Sequence, residues 1–191
     1  MDWIVLIIGG ASGTGKSELA YKVAKEYGIS VLELDDIHTA IKPFASPDEY
    51  PAIHDPEGHK WMERGVDLNV NWLKDVSREM FDTLKRVVDR HIEDNLPVII
   101  EGDFIHPDLV ASLDGLNVKV LFVQESDINQ VISNYVSREG GDPQQLRAEI
   151  SCTHGSWIAD TCRNKGINLI ESRPWETVLD RAISMLESKV V

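Results

Sequence analysis

The sequence predicts an α/β fold: a three-layer αβα sandwich in which helices cover both faces of a five-stranded parallel sheet. Three observations lead there. Short apolar runs rich in β-branched residues alternate with longer stretches whose apolar residues recur at helical spacing, the pattern that right-handed crossovers between parallel strands produce. The first such run, Trp3 to Ile8, leads directly into the glycine-rich stretch Gly9-Gly10-Ala11-Ser12-Gly13-Thr14-Gly15-Lys16-Ser17. A 42% apolar content over 191 residues suits a single domain, residues 1–191, with a sizeable core.

The elements follow in order. After the glycine-rich stretch, Leu19, Ala20, Val23, Ala24 and Tyr27 mark one face of a helix that Gly28 can end. Ser30 to Leu34 reads as the second strand, and it delivers Asp35 and Asp36 at its C-terminal end, where open α/β sheets bind ligands. Residues 37–44 read as a short helix stopped by Pro43, and the proline-rich stretch 45–58 as a loop or small insert. A long helical stretch starts at Trp61 and ends near Asn95, as one helix or as two broken near Gly65. Val98 to Glu101 is the third strand, followed by a loop over Gly102 to Pro107 and a short helix over residues 108–113. Val118 to Val123 is the fourth strand, and the helix after it is stopped by Gly140 and Gly141. Asp142 is placed as N-cap of the next helix, with Pro143 at its first position and Gln145 at the capping-box position. A fifth strand over residues 167–170 and a last helix opened by Pro174 complete the chain, without internal repeat or low-complexity segment.

Charge and cysteine content exclude several roles. A formal charge of -13 argues against nucleic acid or an anionic membrane as the main partner. No apolar run approaches the ~20 residues of a membrane helix, and no signal-peptide progression opens the sequence. Cys152 and Cys162 fall in one helical stretch without a second pair at zinc-ligand spacing, so they read as inert thiols of a cytoplasmic, reduced protein.

Gly10 to Ser17 fits G-x-x-x-x-G-K-[ST] between a strand and a helix, the context of a phosphate-binding P-loop. Glycines let backbone N–H groups turn inward around phosphate oxygens, and the following helix adds its positive end. Gly10, Ser12, Gly13, Thr14 and Gly15 would thus cradle the phosphates of ATP, Lys16 would reach the β- and γ-phosphates, and the Ser17 hydroxyl would ligate Mg²⁺. The chain contains no Asn-Lys-x-Asp guanine-reading sequence and lacks room for the added domains of a motor. An insert after the second strand (residues 42–75) and a small lid (residues 137–147) fit the plan of nucleoside and metabolite kinases.

Several motifs draw the resemblance closer. Gly9 to Ser17, Leu34-Asp35-Asp36-Ile37, Pro97 to Gly102 with His106-Pro107, and Val136-Ser137-Arg138-Glu139 resemble the 2-phosphoglycerate kinase-like group of P-loop kinases. The similarity touches residues 3 to about 183 and is weakest over residues 42–75. Antibiotic phosphotransferases, shikimate kinase and gluconate kinase share the plan. The resemblance implies an ATP- and Mg²⁺-dependent kinase of a small hydroxylated acceptor. It implies that a carboxylate at the end of the second strand orients the acceptor hydroxyl or takes its proton; Asp36 matches that placement, with Asp35 left to a Mg²⁺-bound water or both residues to helix capping. It implies further that Glu101 or Asp103, ending the strand beside the P-loop, holds a water on Mg²⁺, and that Arg173 lines the adenine pocket.

Arg138 and Arg147 bracket the Gly140-Gly141 turn, where a guanidinium could fold onto the transferring phosphoryl or simply decorate a helix end. His38, His54, His59 and His106 form no metal motif, and one of His54 and His59 is a candidate for substrate contact. Trp61, Trp72 and Trp157 read as core. From Lys42 through Arg64 the insert region is acidic, with Lys42, Lys60 and Arg64 its basic residues, which disfavours a doubly charged acceptor and favours a neutral or cationic hydroxyl compound. A slow ATPase that acts as a nucleotide-dependent interaction protein is the alternative function.

Overall fold

The computed structural model describes residues 2–55, 61–115 and 117–187. Its five strands, β1 (Val5–Gly9), β2 (Ser30–Glu33), β3 (Val98–Gly102), β4 (Val118–Gln124) and β5 (Asn168–Glu171), form one sheet in the order β2-β3-β1-β4-β5. Every pairing is parallel, and Gly9 at the end of β1 lies in register with Gly102 of β3 and Phe122 of β4. The helices are α1 (Lys16–Tyr27), α2 (Leu34–Ile41), α3 (Pro51–His54), α4 (Gly65–Glu79), α5 (Phe81–Glu93), α6 (Pro107–Val110), α7 (Ile128–Glu139), α8 (Gln145–Lys165) and α9 (Val178–Glu187).

Strand periodicity divides the core into its two layers. Val5, Ile7, Val98, Ile100, Val120 and Phe122 point to the side covered by α4, α5 and α8, where Val76, Met80, Leu84, Ile158 and Cys162 meet them. Leu6, Ile8, Ile99, Leu121 and Val123 point to the other side, against Leu19, Val23, Ala182 and Leu186 of α1 and α9. Both faces of the central strands are fully buried, so these strands read as continuous apolar runs. A smaller cluster of Val131, Tyr135 and Ala148 fastens α7 to α8 at the C-terminal edge of the sheet.

Four local expectations need correction. The second strand ends at Glu33, and α2 begins at Leu34, so Asp35 and Asp36 lie in its first turn. The long stretch after Trp61 is two helices, but the junction is at Met80, which is fully buried and caps both, whereas Gly65 starts α4. Asp142 and Pro143 precede α8: the helix begins at Gln145 with Gln144 as N-cap, because the Gly140-Gly141 turn, both with positive φ, carries the chain past them before it can coil. After Pro174 a 3-10 turn, Trp175–Thr177, precedes α9. No helix among the described residues is long and apolar enough to cross a membrane.

Candidate functional site

The chain leaves β1 through Gly10, whose φ of 153° and position against the Val123 carbonyl leave no room for a side chain: a Cβ there would lie 2.5 Å from that oxygen. The loop closes on itself through the Thr14 hydroxyl, which donates to the Ala11 carbonyl at 3.0 Å, and is braced from α7 by Asn134, whose amide donates to Gly13 at 2.7 Å. Around it lies an open cavity of ≈ 410 Å³ lined by Gly13 to Glu18, Asn134, Ser137, Arg138, Arg173 and Trp175. Trp175 lies so close over Gly15 that a Cβ there would meet its ring at 2.8 Å, and its indole N–H donates to Glu18 at 3.1 Å.

Lys16, the first residue of α1, is buried against the end of β3. It makes an ion pair with Asp103, and its Nζ is 3.9 Å from Glu101 Oε2. Burial alone would lower the Lys16 ammonium, but Asp103, Glu101 and Asp35 outweigh it and hold its pKa above the ordinary lysine value. Asp35 keeps solvent access on one side, yet crowding by protein and the negative charge of Asp103 push its carboxyl up to about 6, with Lys16 pulling the other way. Burial likewise raises Glu101, opposed by Lys16 and by a hydrogen bond from Ser17. Glu101 Oε2 is buried without a hydrogen-bond partner. Carboxylates outnumber the single ammonium in this pocket beside the Ser17 hydroxyl, a donor set that fits Mg²⁺. No group of three or more His, Cys, Asp or Glu among the described residues is arranged to hold a metal directly.

A second cavity, ≈ 200 Å³, opens on the other side of the P-loop. Ser12 and Asp103 line it together with Trp61, Asn69, Trp72, Leu73 and Phe104 from the insert side and Arg147, Ile150 and Ser151 from α8. Trp72 is thus a cavity wall as well as a core neighbour, and Trp61, expected in the core, is a cavity wall outside the core clusters. Trp72 is fixed by its indole N–H, which donates to Ala52 at 2.9 Å, and its ring meets Phe104 edge-on at 6.0 Å between centroids.

A model of the AAA domain family matches residues 5–123, from the first strand through the fourth. The chain belongs to this AAA domain family. Among curated proteins it is similar to the 2-phosphoglycerate kinases of Methanocaldococcus jannaschii (24% identical, covering 98% of this chain and 64% of that protein) and Methanopyrus kandleri (30%, 98% and 62%). The chain therefore spans less than two thirds of the length of these relatives. In three dimensions it resembles shikimate kinase from Acinetobacter baumannii in complex with shikimate, with a TM-score of 0.58 at 15% identity, covering 97% of this chain and 92% of that one. It also resembles a gluconokinase from Sinorhizobium meliloti, with a TM-score of 0.52 at 15% identity, covering 97% and 91%.

Around the P-loop most of the site residues expected from sequence come together. Gly13 to Ser17, Arg138 and Arg173 share the larger cavity, and Lys16, Asp35, Glu101 and Asp103 form one charged cluster. Gly10 acts by bringing β1 close to β4, and Ser12 faces the smaller cavity. Arg147 is placed differently from the expectation: it lines the smaller cavity, and its guanidinium binds Glu139 at 2.8 Å, as Arg138 does at 2.5 Å. Asp36 is also placed differently. The strongest charges on Lys16 are Asp103, Glu101 and Asp35, and Asp35 Oδ1 lies beside Gly102 at the end of β3, 3.3 Å from where a Cβ there would stand; Asp36 is not among those charges. The reason is the early start of α2, which turns consecutive residues about 100° apart.

The histidines serve the insert and the core. His38 Nε2 lies 3.2 Å from the Ile53 carbonyl, and His54 Nε2 lies 2.8 Å from that of Ala45. His59 and Lys60 lie outside the described residues. His106 and His154 flank Trp157, at ring distances of 5.2 and 5.5 Å. Sequence reasoning missed Trp175, Asn134 and Asn69. Trp175 had a signal, since it lies two residues beyond Arg173; the two asparagines sit in helices and gave none.

Proposed function

We propose that this chain transfers the terminal phosphoryl group of ATP to a hydroxyl of a small molecule. The observation that supports it is the arrangement of the two cavities on either side of one P-loop. Gly13 to Ser17 line the larger, Ser12 and Asp103 the smaller, and the Lys16–Asp103 ion pair lies between them. The kinases among its relatives and fold neighbours agree with this reading.

In this proposal the backbone amides of the loop bind the phosphates, Lys16 neutralises charge on the β- and γ-phosphates, and Ser17 with Glu101 and Asp103 holds Mg²⁺ through its coordinated waters. The metal supplies charge neutralisation on the phosphate oxygens. Trp175 and Arg173 flank the base. Asp35, ionised at neutral pH yet close to it in affinity for protons, takes the role that the sequence suggested for Asp36. The acceptor oxygen forms a bond to the γ-phosphorus, the bond from that phosphorus to the ADP oxygen breaks, and the acceptor proton passes to Asp35. Arg138 swings from Glu139 onto the transferring group.

The test is ³¹P NMR of the full chain with Mg-ATP and a panel of hydroxylated compounds. A new phosphomonoester resonance that grows as ATP falls is expected. ATP binding with no phosphorylated compound, together with stoichiometric capture of a protein only in the ATP state, would replace the kinase by the interaction protein.

A further inference from the structure

The smaller cavity has a chemistry of its own, and Asn69 reveals it. This side chain is 3% exposed. Its Nδ2 lies 2.6 Å from the carbonyl oxygen of Trp61 and 2.7 Å from that of Gly65. Two carbonyl oxygens can be met only by the amide NH₂, so the orientation of the group is fixed by chemistry and both amide protons are engaged. What Asn69 has left for the cavity is Oδ1, which only accepts.

The other polar groups continue the pattern. Asp103 offers a carboxylate already paired with Lys16. The Ser151 hydroxyl shares a 2.6 Å hydrogen bond with that of Tyr135. Arg147 brings a positive charge, but its guanidinium is bound to Glu139 at 3.0 and 2.8 Å and to Gln144 at 2.9 Å, and is packed on the Tyr135 ring at 4.2 Å. Arg64, 5.8 Å from the Trp72 ring, is paired with Asp55 at 2.8 Å. The remaining wall is aromatic and aliphatic: Trp61, Trp72, Phe104, Leu73 and Ile150.

A phosphate or a dicarboxylate carries only hydrogen-bond acceptors and two negative charges. It calls for donors and for cations not already neutralised. Among the described residues this cavity presents mainly the reverse: accepting oxygens, an arginine whose Nη1 is held by a carboxylate, the Ser12 and Ser151 hydroxyls, which accept as well as donate, and ring faces. Hydroxyl groups donate to accepting oxygens, and the polarised C–H face of a saturated ring is attracted to the negative face of an aromatic one. The ≈ 200 Å³ of space equals about seven water volumes at ~30 Å³ each, enough for one small ring.

We infer that the acceptor is an uncharged ring polyol, of the sugar or cyclitol class, that bears no phosphate group. This rests on the kinase reading above. The ring lies against Trp61, Trp72 and Phe104, a hydroxyl donates to Asn69 Oδ1, and the reacting hydroxyl faces the Lys16–Asp103 pair. It accepts the phosphoryl group as written above, giving ADP and a sugar or cyclitol monophosphate.

The experiment compares three arms with the full chain: neutral hexoses and inositols, amino sugars, and the phosphorylated glycerates. Binding is read by saturation-transfer NMR with Mg-ADP present, and transfer by ³¹P NMR with Mg-ATP. A neutral ring compound should bind and become phosphorylated, with kcat/KM at least tenfold above every compound in the other arms. Trp61→Ala, which keeps the backbone carbonyl that Asn69 uses, should raise KM for that compound about tenfold while kcat and ADP affinity stay within twofold. A phosphorylated glycerate or an amino sugar as the better acceptor would overturn the inference and leave the kinase standing. Binding of neutral rings without transfer in any arm would overturn the kinase and leave the ligand class standing. No binding of neutral rings, or an unchanged KM in Trp61→Ala, would also overturn the inference.

Discussion

Asp35 and Asp36 are neighbours in the chain, yet about 100° of helix rotation separates their surroundings. Asp35 joins Lys16, Glu101 and Asp103, while Asp36 is not among the strongest charges on Lys16. Asp35→Asn should therefore lower kcat by ~10²- to 10⁴-fold and keep ADP affinity by calorimetry, while Asp36→Asn stays near the wild-type rate. Transfer lost in Asp36→Asn and kept in Asp35→Asn would return the role to Asp36. His106 and His154 give a second prediction at this scale. Burial pushes both down to about 4, far below an unfolded value near 6.5, and neither ring nitrogen of His106 has a hydrogen-bond partner. Between those values the unfolded chain binds protons that the folded chain refuses. Stability is therefore full above pH 6.5 and falls as pH drops towards 4, by about 1.4 kcal/mol per pK unit and histidine at most. Around His154 stand Asp103, Lys74, His106 and Lys16, and around His106 Arg78, Asp108 and Lys74. Asp35 and Glu101, raised in the fold, act in the opposite direction. Urea unfolding at pH 7.5 and 5.0 should show a smaller acid loss in His106→Phe/His154→Phe than in the wild type; equal losses would refute the assignment.

At the scale of elements, the P-loop is a compromise between a tight chain path and a phosphate cradle. Gly10→Ala places a methyl against the Val123 carbonyl at a positive φ, and β1 must then shift from β4. The expected cost is about 1–3 kcal/mol, or some 2–10 °C in thermal midpoint for a chain of this size, together with weaker ADP binding by calorimetry. A midpoint unchanged within 1 °C would mean that the loop relaxes freely. The lid presents a different balance. Glu139, held down to about 2 by Gln144, Arg138 and Arg147, clasps both arginines across the Gly140-Gly141 turn. Such pairs near solvent contribute at most about 1 kcal/mol, so Arg138, which lines the nucleotide cavity, can leave the glutamate for a phosphate readily, whereas Arg147 is also held by Gln144 and the Tyr135 ring.

For the whole molecule, the nucleotide cavity draws on several distant parts of the chain: the P-loop, α7 and the turn before α9. A ligand that bridges them stabilises the folded state by mass action, about 2.7 kcal/mol at one hundred times its Kd. Mg-ADP at that concentration should raise the thermal midpoint by about 5–10 °C, with ADP in EDTA giving a smaller rise. An identical rise with and without Mg²⁺ would remove the metal from the site.

The sequence alone determined the sheet, its parallel strands and the P-loop, because each follows from local periodicity and a contiguous motif. It also brought Lys16, Ser17, Glu101, Asp103, Arg138 and Arg173 to one end of the sheet, the C-terminal one, since strand ends converge there in any fold of this topology. The break at Met80 was hidden because a buried residue at a junction interrupts no apolar pattern. Tertiary structure decided which way each side chain faces: Asp35 rather than Asp36 towards Lys16, Arg147 towards the smaller cavity, Trp61 and Trp72 as its walls. The physical reason is that helix phase and packing between remote elements set those directions, and one residue of shift at the start of α2 turns a carboxylate by about 100°.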